Sequence, residues 1–330
     1  MTIRLSILDL AHVPVGSNVG QALRNTLDLA RRVDSLGYER FWLAEHHNMP
    51  GIASAATSVV IGQVAAATRH IRVGAGGIML PNHAPLVIAE QFGTLESLFP
   101  GRIDLGLGRA PGTDGLTWRA LRRDPGAADR FPDDVRELQV LLGPVQPGQR
   151  IRAVPGADTN VPLWILGSSL FGAQLAAQFG LPYAFASHFA PQALYAALKL
   201  YRERFQPSPQ LDAPHAMAGV NVICAPTDEE ARLLFTSLQN VVVGLVTGSP
   251  GRLAPPAERT EPLPSVVQHQ VDAFLGCSFV GSPQTVRAGL DDFIAATGAD
   301  ELIVASAIFD HGARVRSYEL LAQAAELRGR

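Results

Sequence analysis

Short apolar runs alternate along the chain with longer segments whose apolar residues recur every three or four positions. The short runs predict β-strands, and the longer segments predict amphipathic α-helices. Regular alternation of the two is typical of a parallel sheet with helices on its outer face. The predicted strands cover residues 3–8, 41–44, 71–75, 103–107, 162–166, 182–186, 217–223 and 302–305.

Eight β/α units in a chain of 330 residues predict a closed (β/α)8 barrel, the TIM barrel, rather than two separate domains. No linker divides the chain, so we predict a single domain over residues 1–330. The first helix is predicted to begin after Ser17 or Asn18 and to end at Gly37. The other predicted helices cover residues 54–68, 85–99, 135–142, 170–179, 191–205, 228–246, 283–297 and 314–327.

Two segments are too long for ordinary connections between strands and helices, namely residues 111–160 and 247–280. We interpret both as insertions in loops of the barrel. The second insertion opens with a proline-rich stretch, residues 247–264, that has no helical period. This stretch is predicted to be a surface excursion or a mobile lid over the mouth of the barrel.

Composition excludes several classes of protein. Only 17% of residues are charged, 47% are hydrophobic and the net charge is −3, which excludes a disordered chain and gives no basic surface for nucleic acid. Two cysteines, Cys224 and Cys277, disfavour a disulfide scaffold or a zinc ribbon. The longest uncharged stretches contain polar residues and read as core helices rather than membrane spans. We therefore expect a cytoplasmic protein.

Candidate chemistry follows the predicted strands, because active sites of such barrels lie in the loops after the strands. Glu45, His46 and His47 follow the second strand, and a glycine pair at residues 76–77 follows the third. Arg109 follows the fourth strand within a glycine-rich loop, and Ser168–Ser169 lie between the fifth strand and a helix. An arginine and a helix N-terminus are both suited to binding a phosphate group. The spacing of the glycines near Arg109 does not match a dinucleotide-binding fingerprint.

Five motifs in order resemble the bacterial-luciferase-like, flavin-dependent monooxygenase superfamily, in particular its small single-chain members. They are Trp42 with residues 45–47, residues 73–81, residues 100–109, residues 176–182 and residues 280–283. The resemblance implies a TIM barrel that binds FMN and uses O₂ to oxidise a small organic substrate. It also implies reduced FMN supplied by a separate NAD(P)H-dependent reductase, and a homodimer. Light-emitting members have a reactive cysteine where this chain has Gly108, so the sequence gives no reason to predict light emission.

The resemblance also assigns roles to individual residues. Arg109, Ser168 and Ser169 fall where the family holds the FMN phosphate. Gly76 and Gly77 fall where the family has a non-prolyl cis peptide beneath the flavin ring, and we predict a cis bond or another unusual backbone conformation here. His46 matches the active-site histidine, and an imidazole is suited to proton transfer near neutral pH.

Several alternatives stay open at this point. The two serines could only cap a helix, and a histidine could be purely structural. A metal centre built from Glu45, His46, His47, His83 and His12 is disfavoured because carboxylates are scarce at the strand ends, so we predict no metal. Within the same superfamily, the cofactor could be the deazaflavin F420. A flavin-binding protein without turnover is the third alternative.

Overall fold

A ring of parallel strands forms the centre of the protein, whose structure is a computed structural model that describes residues 3–110, 114–258 and 260–329. The strands found in these residues are β1 (Arg4–Asp9), β2 (Arg40–Leu43), β3 (Arg72–Met79), β4 (Ile103–Gly108), β5 (Leu163–Gly167), β6 (Tyr183–Phe185), β7 (Ala216–Cys224), β8 (Ser278–Gly281) and β9 (Glu301–Ala305).

The ring closes in the order β1–β2–β3–β4–β5–β6–β7–β9 and returns from β9 to β1 through parallel pairing. This closed eight-stranded sheet confirms the predicted (β/α)8 barrel. Strand β8 was not predicted from the sequence, and it pairs with residues 221–224 at the end of β7. We had interpreted residues 280–283 only as a motif before a helix.

Helices surround the ring, and most lie within a few residues of their predicted positions. The first helix begins after Asn18, whose side chain accepts a hydrogen bond from Gln21 N, but it ends at Val33 rather than at Gly37. The helices of the described residues are α1 (Val19–Val33), α2 (Thr57–Ala67), α3 (Pro85–Leu98), α4 (Gly115–Ala120), α5 (Phe131–Leu142), α6 (Leu170–Phe179), α7 (Leu194–Arg204), α8 (Asp228–Val246), α9 (Ser265–Phe274), α10 (Pro283–Thr297) and α11 (His311–Ala324). Within the described ranges, no helix is both long and apolar enough to cross a membrane.

The interior of the barrel is layered because alternate residues of a strand point to the same side. One layer is aromatic and apolar, and in it the Trp42 and Trp164 rings meet edge to face with 5.1 Å between their centroids. A charged layer lies on one side of it. Arg40 bonds Asp104 at 2.8 Å and Glu301 at 3.0 Å, and its guanidinium stacks 4.8 Å from the Trp164 ring. Charge pairing therefore replaces apolar packing in this part of the interior.

The two predicted insertions contain more regular structure than the sequence indicated. Residues 114–160 of the first insertion include α4 and α5, whereas residues 111–113 lie outside the described part of the chain. Residues 247–280 include α9 and part of β8, neither of which was predicted. Residues 247–258 and 260–264 are irregular, and buried Leu253 attaches the first of these segments to the loop after β1 through backbone hydrogen bonds with Val13 and Val15.

Candidate active site

A cavity of about 750 Å³ opens where the strands of the ring end, the face on which barrel enzymes carry their active sites. Its walls are mainly apolar, as is usual for sites that bind organic molecules. All six residues that the sequence analysis assigned to catalysis or cofactor binding line this one cavity. They are His46, Gly76, Gly77, Arg109, Ser168 and Ser169.

The glycine pair lies at the end of β3, and the Gly76–Gly77 peptide bond is cis, as predicted. The pairing of β3 with β4 shifts its register between Ala75 and Ile78, so the pair interrupts the regular ladder. A Cβ atom on Gly77 would lie 2.8 Å from Gly106 O, and one on Gly76 would lie 2.8 Å from Leu8 Cδ1. Side chains are therefore excluded here, and the cavity has a floor of bare backbone.

Arg109 and the start of α6 form a polar corner of the cavity. The Arg109 guanidinium lies 4.3 Å from the centre of the Phe171 ring in the first turn of α6, and its Nε donates to Ala128 O at 3.1 Å. Its ion pair with Asp129 is long, 3.4 Å, and solvent-exposed. Ser169 occupies the N-cap position but makes no capping hydrogen bond with its side chain. The helix N-terminus and the guanidinium thus both remain suited to an anionic group.

Three histidines line the cavity; His46 was predicted there, whereas His12 and His188 had been given no role in flavin binding or catalysis. His46 follows β2, His12 follows β1 and His188 follows β6. Burial lowers the pKa of His188 to about 4, and a charge on His46 would lower it further. Burial and then the charge of Arg314 lower the pKa of His12 to about 4, against the opposing effect of Asp9. His12 and His188 are therefore neutral near pH 7.

Glu45 faces away from this cavity and organises the loop that carries His46. Its buried carboxylate accepts hydrogen bonds from His47 Nε2 at 2.8 Å, from His83 Nε2 at 2.8 Å and from Met79 N at 3.0 Å. Burial alone would raise the pKa of Glu45, but the hydrogen bond from His83 and its neighbours outweigh burial and lower it. These bonds attach the loop after β2 to the end of β3.

The candidate ligands of the alternative metal centre do not all lie together in the structure. Among the described residues, Glu45, His47 and His83 place their ligand atoms within 4.8 Å of one another, a spacing that could hold a metal ion. His12 and His46, which we had grouped with them, instead line the cavity. Since the carboxylate already accepts bonds from both imidazoles and from a backbone N–H, hydrogen bonding by itself accounts for the cluster.

Parts of the cavity wall could not be identified from the sequence. Asp9 at the end of β1 is fully buried and bonds Arg314 of α11 at 2.7 Å and Thr26 of α1 at 2.7 Å, so it supports the loop that carries His12 rather than entering the site. Helices α8 and α9 supply an apolar wall of Leu238, Val241, Val242, Leu245 and Phe274. The uncharged stretch of α8 was the only sequence signal for this wall, and it fits a core helix equally well.

The fold and the site define a barrel enzyme with a mainly apolar cavity, one guanidinium and three imidazoles at the strand ends. Residues 3–301 match the luciferase-like monooxygenase family, and the chain belongs to this family. A luciferase-like monooxygenase of Escherichia coli K12 is 53% identical over 97% of this chain and 96% of its own length. An N-acetyl-S-alkylcysteine monooxygenase of Bacillus subtilis is 35% identical over 74% of this chain and 75% of its own.

Solved structures share the fold. The crystal structure of apo-MsnO8 superposes with a TM-score of 0.92 at 38% identity and covers 99% of this chain and 100% of its own. The FMN complex of the oxygenating constituent of 3,6-diketocamphane monooxygenase from Pseudomonas putida has a TM-score of 0.72 at 18% identity, with 99% and 98% coverage. An F420-dependent secondary alcohol dehydrogenase has a TM-score of 0.71 at 14% identity, with 98% and 99% coverage. The last two likenesses concern the fold alone.

Proposed function

We propose that this protein is an FMN-dependent monooxygenase that uses reduced FMN and O₂ to oxidise a small organic substrate. The observation that carries the proposal is the convergence of Arg109, the start of α6 and the backbone floor at residues 76–77 on one cavity. A flavin mononucleotide has a phosphate group at one end and a flat ring at the other. Arg109 and the start of α6 suit the phosphate, and the backbone floor suits the ring.

The residues present fit FMN. Arg109 would pair with the phosphate oxygens together with the N–H groups at the start of α6 and the hydroxyls of Ser168 and Ser169. Gly76 and Gly77 would lie against the ring, because no side chain intervenes there. When bound, reduced FMN supplies the electrons that activate O₂.

The protein's own groups would then orient the reactants, exclude water and handle protons. His46 is the proposed acid/base residue because it lines the cavity on the loop that Glu45 anchors. The apolar walls keep bulk water from the reacting atoms. Family membership supports monooxygenation, because relatives of this chain carry that activity in their names.

Three further statements stay predictions from the sequence. Reduced FMN is supplied by a separate NAD(P)H-dependent reductase, the protein is a homodimer and its location is the cytoplasm. The reductase can be tested by coupling: product should form when a generic flavin reductase, NADH and FMN are added, and not when the reductase is omitted.

A titration tests the cofactor. FMN, riboflavin and F420 are added separately to the purified protein, and binding is followed by fluorescence. FMN is expected to bind about 10- to 100-fold more tightly than riboflavin, because charge-assisted hydrogen bonds hold its phosphate. Arg109→Met should abolish most of this difference, whereas Arg130→Met, which removes an exposed arginine paired with Asp124, should retain it.

Tighter binding of F420 than of FMN would overturn the proposed cofactor. Tight FMN binding with no O₂-dependent product across a substrate panel would instead indicate a flavin-binding protein without turnover.

A further inference from the structure

The cavity has an apolar wall on the side away from the glycine pair. In the closed ring, β7 lies four strands from β3 in either direction, so the two strands face each other across the barrel. Helix α8 follows β7 in the chain, and its cavity-facing residues are all aliphatic. Phe189 and Phe274 extend this wall, with 6.1 Å between their ring centroids.

Charge is nearly absent from the cavity. Among its described lining residues, Arg109 is the only one with a permanent charge, and the proposed function uses it for the phosphate. A substrate carboxylate would therefore lose its hydration without gaining a cation, and a substrate ammonium would find no carboxylate. Burying an unpaired charge is strongly unfavourable. The cavity thus selects an uncharged, mainly apolar molecule.

His188 provides a hydrogen-bonding group on this side of the cavity. Its Nδ1 is buried and has no hydrogen-bond partner in the described part of the chain. Nδ1 points at the backbone of Gly219, where any Cβ atom would clash with it. The opposite edge of the ring, which bears Nε2, therefore faces the cavity that His188 lines.

The orientation of the ring determines where its proton lies. A proton on Nδ1 would be a buried donor without an acceptor, so we assign the proton of the neutral imidazole to Nε2. Neighbouring bonds keep the ring in place. Ser187 Oγ donates to Gly219 O at 2.6 Å, Asn221 Nδ2 donates to His188 O at 2.7 Å, and the Phe189 ring packs edge-on against the imidazole.

We propose that His188 anchors the substrate by donating its Nε2–H to an acceptor oxygen, such as a carbonyl, of an uncharged and mainly apolar molecule. This assignment names a substrate class for the proposed monooxygenase and so rests on that function. His188 is a positioning and specificity residue here, and the acid/base role stays with His46.

Displacement of an uncharged fluorescent probe, N-phenyl-1-naphthylamine, from the flavin-free protein tests the assignment. Three competitors of similar size are compared: butyrophenone, which has a carbonyl; butylbenzene, which has none; and phenylbutyrate, which is charged. In the Arg109→Met variant, which removes the one cation that FMN would otherwise occupy, phenylbutyrate should compete at least about tenfold more weakly than butyrophenone, because the cavity then offers its carboxylate no cation. Equal competition by the two would overturn the substrate class.

Variants isolate the hydrogen bond. His188→Leu should weaken butyrophenone about five- to tenfold, the usual effect of losing one neutral hydrogen bond, and leave butylbenzene within about twofold. Gly219→Ala should have the same selective effect because its methyl group displaces the ring. His188→Gln should restore part of the ketone affinity, since the amide can also donate. His70→Leu, at an exposed histidine, should change neither ligand.

Equal weakening of ketone and hydrocarbon in His188→Leu would overturn the anchoring role and leave His188 as a packing residue. Because the assay contains no flavin, its outcome is independent of the FMN titration. Failure of the cofactor proposal and failure of the His188 assignment are therefore distinguishable.

Discussion

At the scale of single residues, the three histidines of the cavity differ in role. One is the proposed proton-transfer group, and the other two stay neutral. His46 lies on a loop fixed by Glu45, whereas burial holds the pKa of His12 and His188 near 4. A general acid or base works best with a pKa near the working pH. The pKa values near 4 make His12 and His188 poor candidates, which leaves His46 as the residue to test for proton transfer.

His46→Ala should lower the rate of product formation by about 10²- to 10⁴-fold, the usual contribution of general acid–base catalysis. FMN affinity should change little, since the proposed phosphate contacts lie elsewhere in the cavity. Turnover with externally reduced FMN and a fluorescence titration give the two quantities. Full turnover in the variant would refute the role of His46.

The two neutral histidines predict how stability depends on pH. Their pKa values lie near 4 when folded and near 6.5 when unfolded. The unfolded chain therefore binds more protons below pH 6.5, and the free energy of unfolding should fall as the pH falls from about 6.5 towards 4. Urea unfolding at several pH values measures this fall.

His188→Gln should show a smaller loss of stability over this range than the wild type. His70→Gln, at an exposed site, should follow the wild type. Carboxylates in ion pairs lose their contribution to the free energy of unfolding mainly below about pH 4.5. They therefore do not obscure the comparison of the variants with the wild type. Identical pH dependence in wild type and His188→Gln would contradict the shifted pKa.

At the scale of elements, the charged layer of the barrel joins strands that are distant in sequence. Asp104 of β4 is fully buried between Arg40 of β2 and Arg72 of β3. Burial by itself raises the pKa of Asp104, but the charges of the two arginines outweigh it and hold the pKa below its usual range. His215 Nε2 and Ser6 Oγ also bond Glu301, the second partner of Arg40.

Asp104→Ala should destabilise the protein by about 3–5 kcal/mol, because it leaves a buried guanidinium without one of its partners. Glu229→Ala serves as the control, since it breaks an exposed pair with Arg232 and should cost less than about 1 kcal/mol. Chemical denaturation of both variants measures the two values. A loss below 1 kcal/mol for Asp104→Ala would show that the layer contributes little.

The charged layer also contains strand residues that the sequence pattern did not assign to strands. We began two predicted strands at Phe41 and Leu302, one residue after Arg40 and Glu301 respectively. A charged residue beside an apolar run usually marks a strand end at the surface. Here the barrel interior supplies the compensating charges, and pairing of that kind is not visible in local sequence.

At the scale of the whole molecule, ligand binding should stabilise the barrel, because the proposed FMN contacts come from the ends of β3, β4 and β5. A ligand that binds only the folded state at 100 times its Kd adds about 2.7 kcal/mol. For a chain of this length, that corresponds to a rise in Tm of about 4 °C. Thermal unfolding with FMN, riboflavin and F420 measures it. A rise with F420 and none with FMN would contradict the proposed cofactor.

The sequence alone determined the closed barrel and the loops that carry the predicted site. Alternating apolar runs and helical segments are local patterns, and the loop motifs stand directly after the strands, so His46, Gly76 and Arg109 could be assigned to one face. Only the tertiary structure decided which of their neighbours share the cavity. His188 and the wall of α8 share one cavity with the glycine pair because the ring closes between β9 and β1, and closure is a property of the whole chain rather than of any local segment.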